Sequence, residues 1–187
     1  TIIKDSVQRF TDLPTVSPNG YVVEVKGDDD TNFDNYYVKF VTNNGNAFEE
    51  GQWEETVEAG IQFKFDYATM PHVLVRQADG NFRFAKVDGD SYTLSGVTYT
   101  LPKWGERTVG DLISAPNPSF IGNKINNVFF FRNRLGFLAG DNVVLSRVSE
   151  FFNFFPETVV SVLDNEPIDV AASHTKVAIL KSAVTMG

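Results

Sequence analysis

The chain has 187 residues, 42% of them apolar and 21% charged, no cysteine, and 16 Lys and Arg against 24 Asp and Glu, a net charge of −8. That length allows one domain or two small ones around a true core, and the missing thiols exclude disulfides, thiolate metal sites and cysteine nucleophiles. The acidic balance argues against gripping nucleic acid by phosphate neutralisation, and the longest plain apolar run, VFFF at residues 128–131, is far short of a bilayer span.

Taken in chain order, Ile3, Val7 and Phe10 fall at i, i+4 and i+7 and predict a short helix that Pro14 stops. The opening TIIKDSVQRF has neither the basic start nor the apolar stretch of a secretory leader. The periodicity then switches to two. Residues 21–25 (YVVEV) read as a strand, followed by an acidic turn and a second strand over 36–41. Residues 61–67 (IQFKFDY) give the cleanest alternation in the chain and predict a strand with one buried and one wet face. Residues 73–76 and 82–87 flank Ala78-Asp79-Gly80-Asn81 as a hairpin, and residues 92–94 and 97–101 flank Ser95-Gly96 as another.

The stretch SAPNPS at 114–119 holds two prolines, which disfavour a helix or central strand, and is expected to be a junction. Composition changes there. Residues 1–110 carry 10 basic and 17 acidic side chains and 8 phenylalanines; residues 111–187 carry 6, 7 and 9. Beyond it, residues 128–132, 135–138 and 143–147 read as three short strands with turns at Asn133-Arg134 and Gly140-Asp141-Asn142. SEFFNFF at 149–155 predicts one helical turn begun by Ser149 and stopped by Pro156. Residues 159–163 and 168–180 return to β character. The absence of an initiator Met and the strand-like pattern at 176–184, which has no onward partner, read as an excerpt of a longer protein.

Candidate chemistry is thin. Asp28, Asp30, Asn32 and Asp34 place oxygen ligands at alternate positions, as calcium prefers. An EF-hand needs Gly and Glu where this run has Phe33 and Lys39, so a solvated hairpin tip is expected instead. Glu49, Glu50, Glu54, Glu55 and Glu58 surround Trp53, and a polysaccharide depolymerase needs two carboxylates across a cleft beside an aromatic platform. Neighbouring carboxylates on a strand point to opposite faces, which leaves a charged loop and strand face as the expectation. A carbohydrate-binding adhesion module through Trp53 or Trp104 is a third reading. His72 and His174 share no metal spacing, and Ser146 or Ser173 with His174 and Asp169 lacks any nucleophile motif. Arg132, Arg134 and Arg147 form the best basic cluster and are expected to pair with carboxylates such as Asp141 or Asp169, fixing turns. No catalytic, cofactor or metal residue is assigned.

The eight phenylalanines at 129–131, 137, 151, 152, 154 and 155 are too many for one ligand pocket. Consecutive phenylalanines on a strand face both ways, so cover from two sides is required, within a larger body or at a subunit interface.

Several strings carry a resemblance. They are VFFFRNRLGFLAGDNVVLSR at 128–147, FFNFF at 151–155, DNEPIDVA at 164–171 and VAILK at 177–181. Upstream stand DLP at 12–14, PNGY at 18–21, YYV at 36–38, TMPH at 69–72, DGNF at 79–82 and PSF at 118–120. Together they resemble the tail tubular protein B, or tail nozzle, family of short-tailed bacteriophages. The resemblance implies a non-enzymatic virion protein without cofactors, several times longer than this chain. It also implies a six-fold ring below tail tubular protein A that docks tail fibres and encloses the conduit for ejected DNA. By the same resemblance the fold is mainly β, with an antiparallel inserted domain over 1–113 containing one or two short helices, and the start of a propeller over 114–187. The hairpin at 87–101 is longer than the family pattern.

Overall fold

Alternation of apolar and polar side chains governs most of the described chain. The computed structural model describes residues 4–27, 35–172 and 179–184, and within them it forms thirteen strands and a single 3-10 turn. The first five strands are β1 (Ser6–Val7), β2 (Val16–Pro18), β3 (Val22–Val25), β4 (Tyr36–Thr42) and β5 (Phe48–Thr56), with the 3-10 turn at Phe10–Asp12 between β1 and β2. They make one sheet in the order β1-β3-β4-β5-β2, parallel at β1–β3 and antiparallel elsewhere. Val23, Val25, Val38, Phe40 and Trp53 share the buried face, with Val23 opposite Val38 and Phe40 opposite Trp53. Leu13 and Val7 pack on that cluster. The acidic run at 28–34 lies outside the described residues.

The expected N-terminal helix is not formed. Glu24 N donates to Asp5 O at 3.1 Å and Lys26 N to Val7 O at 2.9 Å, so this backbone pairs with β3 instead. One helical turn closes too few hydrogen bonds to offset its nucleation, and the edge of β3 offers better partners. Phe10, on the face the helix would have buried, is 48% exposed.

Residues 61–67 are not a strand either, despite their alternation. Their carbonyls serve Arg107: its backbone N–H donates to Phe63 O at 2.6 Å and its guanidinium to Gln62 O. Only Phe65 is fully buried, so the segment is an extended strap with one side chain plugged into the core. The two predicted hairpins form as β6 (Val73–Arg76) with β7 (Phe82–Ala85), and β8 (Ser91–Leu94) with β9 (Val97–Thr100). Ser95 and Gly96 have φ of 50° and 81°, the pair of positive values that a two-residue hairpin turn matched to strand twist requires.

The last four strands, β10 (Ile125–Phe131), β11 (Arg134–Ala139), β12 (Asn142–Leu145) and β13 (Ile168–Ala171), form an antiparallel sheet in chain order. Four antiparallel strands in sequence are the form of one propeller blade. The first turn falls at Arg132-Asn133, φ 45° and 57°, one residue earlier than expected. Arg132 and Arg134 therefore lie on a turn and the next strand rather than on one face. Residues 146–167 leave the sheet between β12 and β13, and here two expectations fail. Ser149 sits at φ 63° beside an Arg147–Glu150 bridge, not in the extended conformation of a helix cap. Residues 159–163 run as a surface loop, without strand partners, because Glu55 and Arg134 hold the chain on either side of it.

The larger core gathers Phe65, Val87, Trp104, Phe120, Phe137, Val144, Phe154 and Phe155, taking residues from both sides of 114–119. Trp104, 1% exposed, is ringed by Phe65, Phe120, Phe137, Phe152 and Phe154 at centroid distances of 5.3 to 6.5 Å. Such pairs add about 0.5–1.5 kcal/mol each beyond area burial.

Candidate functional site

Alternation along β5 sends its carboxylates in different directions. Glu49 accepts from Asn44 N at 2.6 Å and Asn46 Nδ2 at 2.7 Å, and these bonds, Asn46 first, hold its carboxyl below the ordinary glutamate value. Glu54 accepts from Gln52 and stands opposite Lys39 on the neighbouring strand. Glu55 turns away to accept from Thr158 Oγ1 at 2.6 Å and Val159 N at 2.8 Å. Glu58 faces Tyr37, whose hydroxyl is pushed up to about 12 by burial first and then by Glu58, Glu24 and Asp111. Glu49 and Glu55 are committed to amides and hydroxyls that fix turns and loops, so the cluster supplies no opposed acid pair of the glycosidase kind. Trp53 packs edge-on to Phe40 at 5.0 Å and donates its indole N–H to Pro14 O at 2.9 Å. Trp104 is interior, which removes its faces as a sugar platform.

The other chemistry-bearing residues are structural as well. His72 Nδ1 lies 2.8 Å from Met70 O and its ring stacks on Phe84 at 5.0 Å. His174 and Ser173 lie outside the described residues. Ser146 is fully buried; its hydroxyl donates to Arg147 O and accepts from Leu135 N. Asp169 accepts from Ser119 N and Asn142 Nδ2. Arg147 pairs with Glu150 and Glu157, not with the expected Asp141 or Asp169. Arg134 departs further: it donates to the carbonyls of Ser146, Asp164 and Glu166, because a buried guanidinium fork can satisfy loop carbonyls without a carboxylate. Arg132 lies over the Phe131 ring at 5.3 Å. Among the described residues there is no group of three or more His, Asp or Glu able to hold a metal, and no helix is long and apolar enough to cross a membrane.

What the surface does offer is apolar. On the β6–β7 ribbon Leu74 stands opposite Phe84 and Arg76 opposite Phe82, all on one face by strand alternation. Leu74, Phe82 and Phe84 are 64%, 60% and 71% exposed. The other face is anchored: Ala85 is buried, Val73 packs on the core, and Arg83 sits 4.0 Å over the Tyr92 ring. Tyr92 and Tyr99 stack at 5.2 Å, and the Tyr99 hydroxyl accepts from Ala78 N at 2.6 Å at the ribbon's tip. The long hairpin thus buttresses the ribbon. A second apolar edge lies on β10, where Val128 and Phe130 face outward past the core, with Phe151 edge-on to Phe130. A third apolar surface is the 159–163 loop, where Val160 and Val162 are 58% and 96% exposed. It borders a groove of about 310 Å³ lined by Pro116, Pro156, Val159, Val162, Pro167 and Ile168. A larger concavity of about 830 Å³, lined by Val7, Leu13, Pro14, Tyr21 and Phe48 among others, lies under the first sheet.

Sequence reasoning missed Arg107, the contact of Glu55 with Thr158 and Val159, and the Tyr92–Tyr99 pair. Only the tyrosines left a signal, two aromatic residues placed symmetrically about a two-residue turn.

Comparison with known proteins places the chain beside structural tail proteins. The family model described as Bacteriophage nozzle protein matches residues 1–187. Tail tubular protein gp12 of Escherichia phage T7 is 42% identical over 177 residues, which is 95% of this chain and 20% of that protein. The chain thus spans 20% of the length of the curated relative it matches. Neither match points to a hydrolase or a glycan-binding module.

Proposed function

The chain belongs to the bacteriophage nozzle protein family, and from that premise we propose that it is a structural, non-enzymatic segment of a virion tail nozzle. In this reading the full-length protein assembles with itself in a six-fold ring, meets an upper ring of tail tubular protein A, and docks tail fibres. Residues 114–187 begin a propeller. Residues 1–113 are a β-rich insertion packed on it through the shared aromatic core. Ejected DNA passes without specific binding, since the chain's net charge of −8 repels phosphate.

The observation that carries the reading is the set of apolar faces left open on the β6–β7 ribbon, the β10 edge and the 158–163 loop. Large permanent interfaces resemble a core cut in half. The test is the mass and electron-microscopic shape of the purified full-length protein containing this segment. Closed rings are expected. Release of reducing ends from host capsule or peptidoglycan, abolished by Glu54→Gln, would overturn it in favour of a depolymerase.

A further inference from the structure

We infer that the β6–β7 ribbon is one half of a head-to-tail contact between copies of this chain, the other half being the groove beside residues 158–168. This rests on the nozzle reading above and adds the surface through which neighbouring copies meet. The ribbon is built as a plug. Leu74, Phe82 and Phe84 project from one face, while the Tyr92–Tyr99 buttress and the Arg83 stack hold the other face rigid before any partner arrives. The groove is built as a socket, about 310 Å³ with walls of Pro116, Val159, Pro167 and Ile168 and a rim formed by Val162, which is 96% exposed.

Charge selects this pairing over the others. The ribbon's open face carries Arg76 beside Phe82, and no carboxylate shares that face on either strand. Beside the socket, Glu150 and Glu157 are neutralised by Arg147, while Asp164, Glu166 and Asp169 have no ion-pair partner among the described residues, and Asp164 is exposed on the loop next to the socket. Ribbon against ribbon would set Arg76 toward its own copy. Ribbon against the β10 edge would set it near Arg132. Two different complementary patches on one chain form a heterologous contact, which closes into a ring when the rotation allows.

The test uses the full-length protein containing this segment, in a background where cysteines elsewhere are replaced; the segment itself has none. Phe84→Cys and Val162→Cys variants are co-expressed, assembled, oxidised and resolved without reductant. A two-chain product is expected from the mixture and from neither variant alone. Arg76→Asp is expected to weaken assembly at least about tenfold, and adding Asp164→Arg to restore it. Assembled particles that give no product, or a charge reversal that Asp164→Arg leaves uncorrected, overturn this inference alone. A wild-type protein that never assembles overturns the nozzle reading with it. Loss of a different tail protein from Phe84→Cys particles of unchanged size assigns the ribbon to that partner and likewise overturns the contact.

Discussion

Arg107 and Asp111 show how charged groups serve the interior. Arg107 is 1% exposed, yet its guanidinium donates to Gln62 O, to Ala115 O at 2.7 Å and to Asn117 Oδ1 at 2.8 Å, and it lies 4.9 Å from the Phe155 ring centroid. It joins three backbone segments that share no sheet. Arg107→Ala is expected to lower unfolding free energy by about 3 kcal/mol, since it leaves the buried Ala115 carbonyl unpaired and removes packing against Phe155; urea denaturation measures this, and a loss under about 1 kcal/mol would refute it. Burial raises the Asp111 carboxyl, but bonds from Ser114 N, Ile113 N and Ser114 Oγ outweigh burial and hold it below 3.8. A depressed carboxyl adds stability that is complete above the ordinary value and disappears as pH falls through the folded one. The urea-midpoint gap between wild type and Asp111→Asn should therefore be open at neutral pH and close in acid, once the pH has fallen below the ordinary aspartate value and through the lowered folded one. A gap that persists unchanged in acid would show that the bonds are not carried by the charge. None of these roles was legible in the sequence, because a lone Arg or Asp in a loop looks the same whether solvated or buried.

At the scale of elements, the β8–β9 hairpin is the clearest case of a feature whose existence was readable and whose task was not. Its Ser95-Gly96 turn announces a hairpin; only the fold shows Tyr99 reaching Ala78 N across 21 residues. Tyr99→Phe should raise amide exchange in residues 73–85 about tenfold, the equivalent of one hydrogen bond. Unchanged exchange there would remove the buttress role. Gly51 on β5 is a second test. A Cβ there would lie 2.1 Å from Val41 O and 2.8 Å from Thr42 Cα, backbone that cannot swing aside. Gly51→Ala should cost about 2 kcal/mol or more and loosen β4–β5 pairing, read from thermal unfolding and exchange at residues 38–42. The strands over 22–25, 36–42, 73–76 and 82–85 were legible, as were β10 from residue 128 onward, β11 and β12 to within a residue or two, because alternation and turn chemistry agreed in each. The strand expected over 61–67 failed for the converse reason: perfect alternation, no neighbouring strand, and a guanidinium claiming its carbonyls. The β2 and β5 strands were obscured by Pro18 and by the glutamate-rich stretch around Trp53, where composition imitates a loop.

For the molecule as a whole, contacts between distant parts of the chain decide whether the first sheet and the aromatic core act together. Glu55 reaches Thr158 and Val159 more than 100 residues away, Glu58 N donates to Gly110 O, and Gly110 N donates to Thr56 O. Glu55→Ala should remove about 1.5–3 kcal/mol of coupling. It should also expose residues 57–62 to limited proteolysis at concentrations that spare the wild type. Equal cleavage of the two would mean the sheet is held by other means. No reading of residue types could have joined position 55 to position 158, since that proximity belongs to the tertiary arrangement alone.

The excursion of residues 146–167 between β12 and β13 sets an order in time. Emerging from a ribosome, the first three strands of this sheet can pair through short turns, while the outer edge of β12 waits for a strand made later, across a loop whose closure costs entropy. Phe154 and Phe155 anchor the excursion in the core, so the aromatic cluster is complete only after this stretch has been made. A nascent chain truncated before Ile168 keeps a bare sheet margin and wet phenyl rings, a template for aggregation.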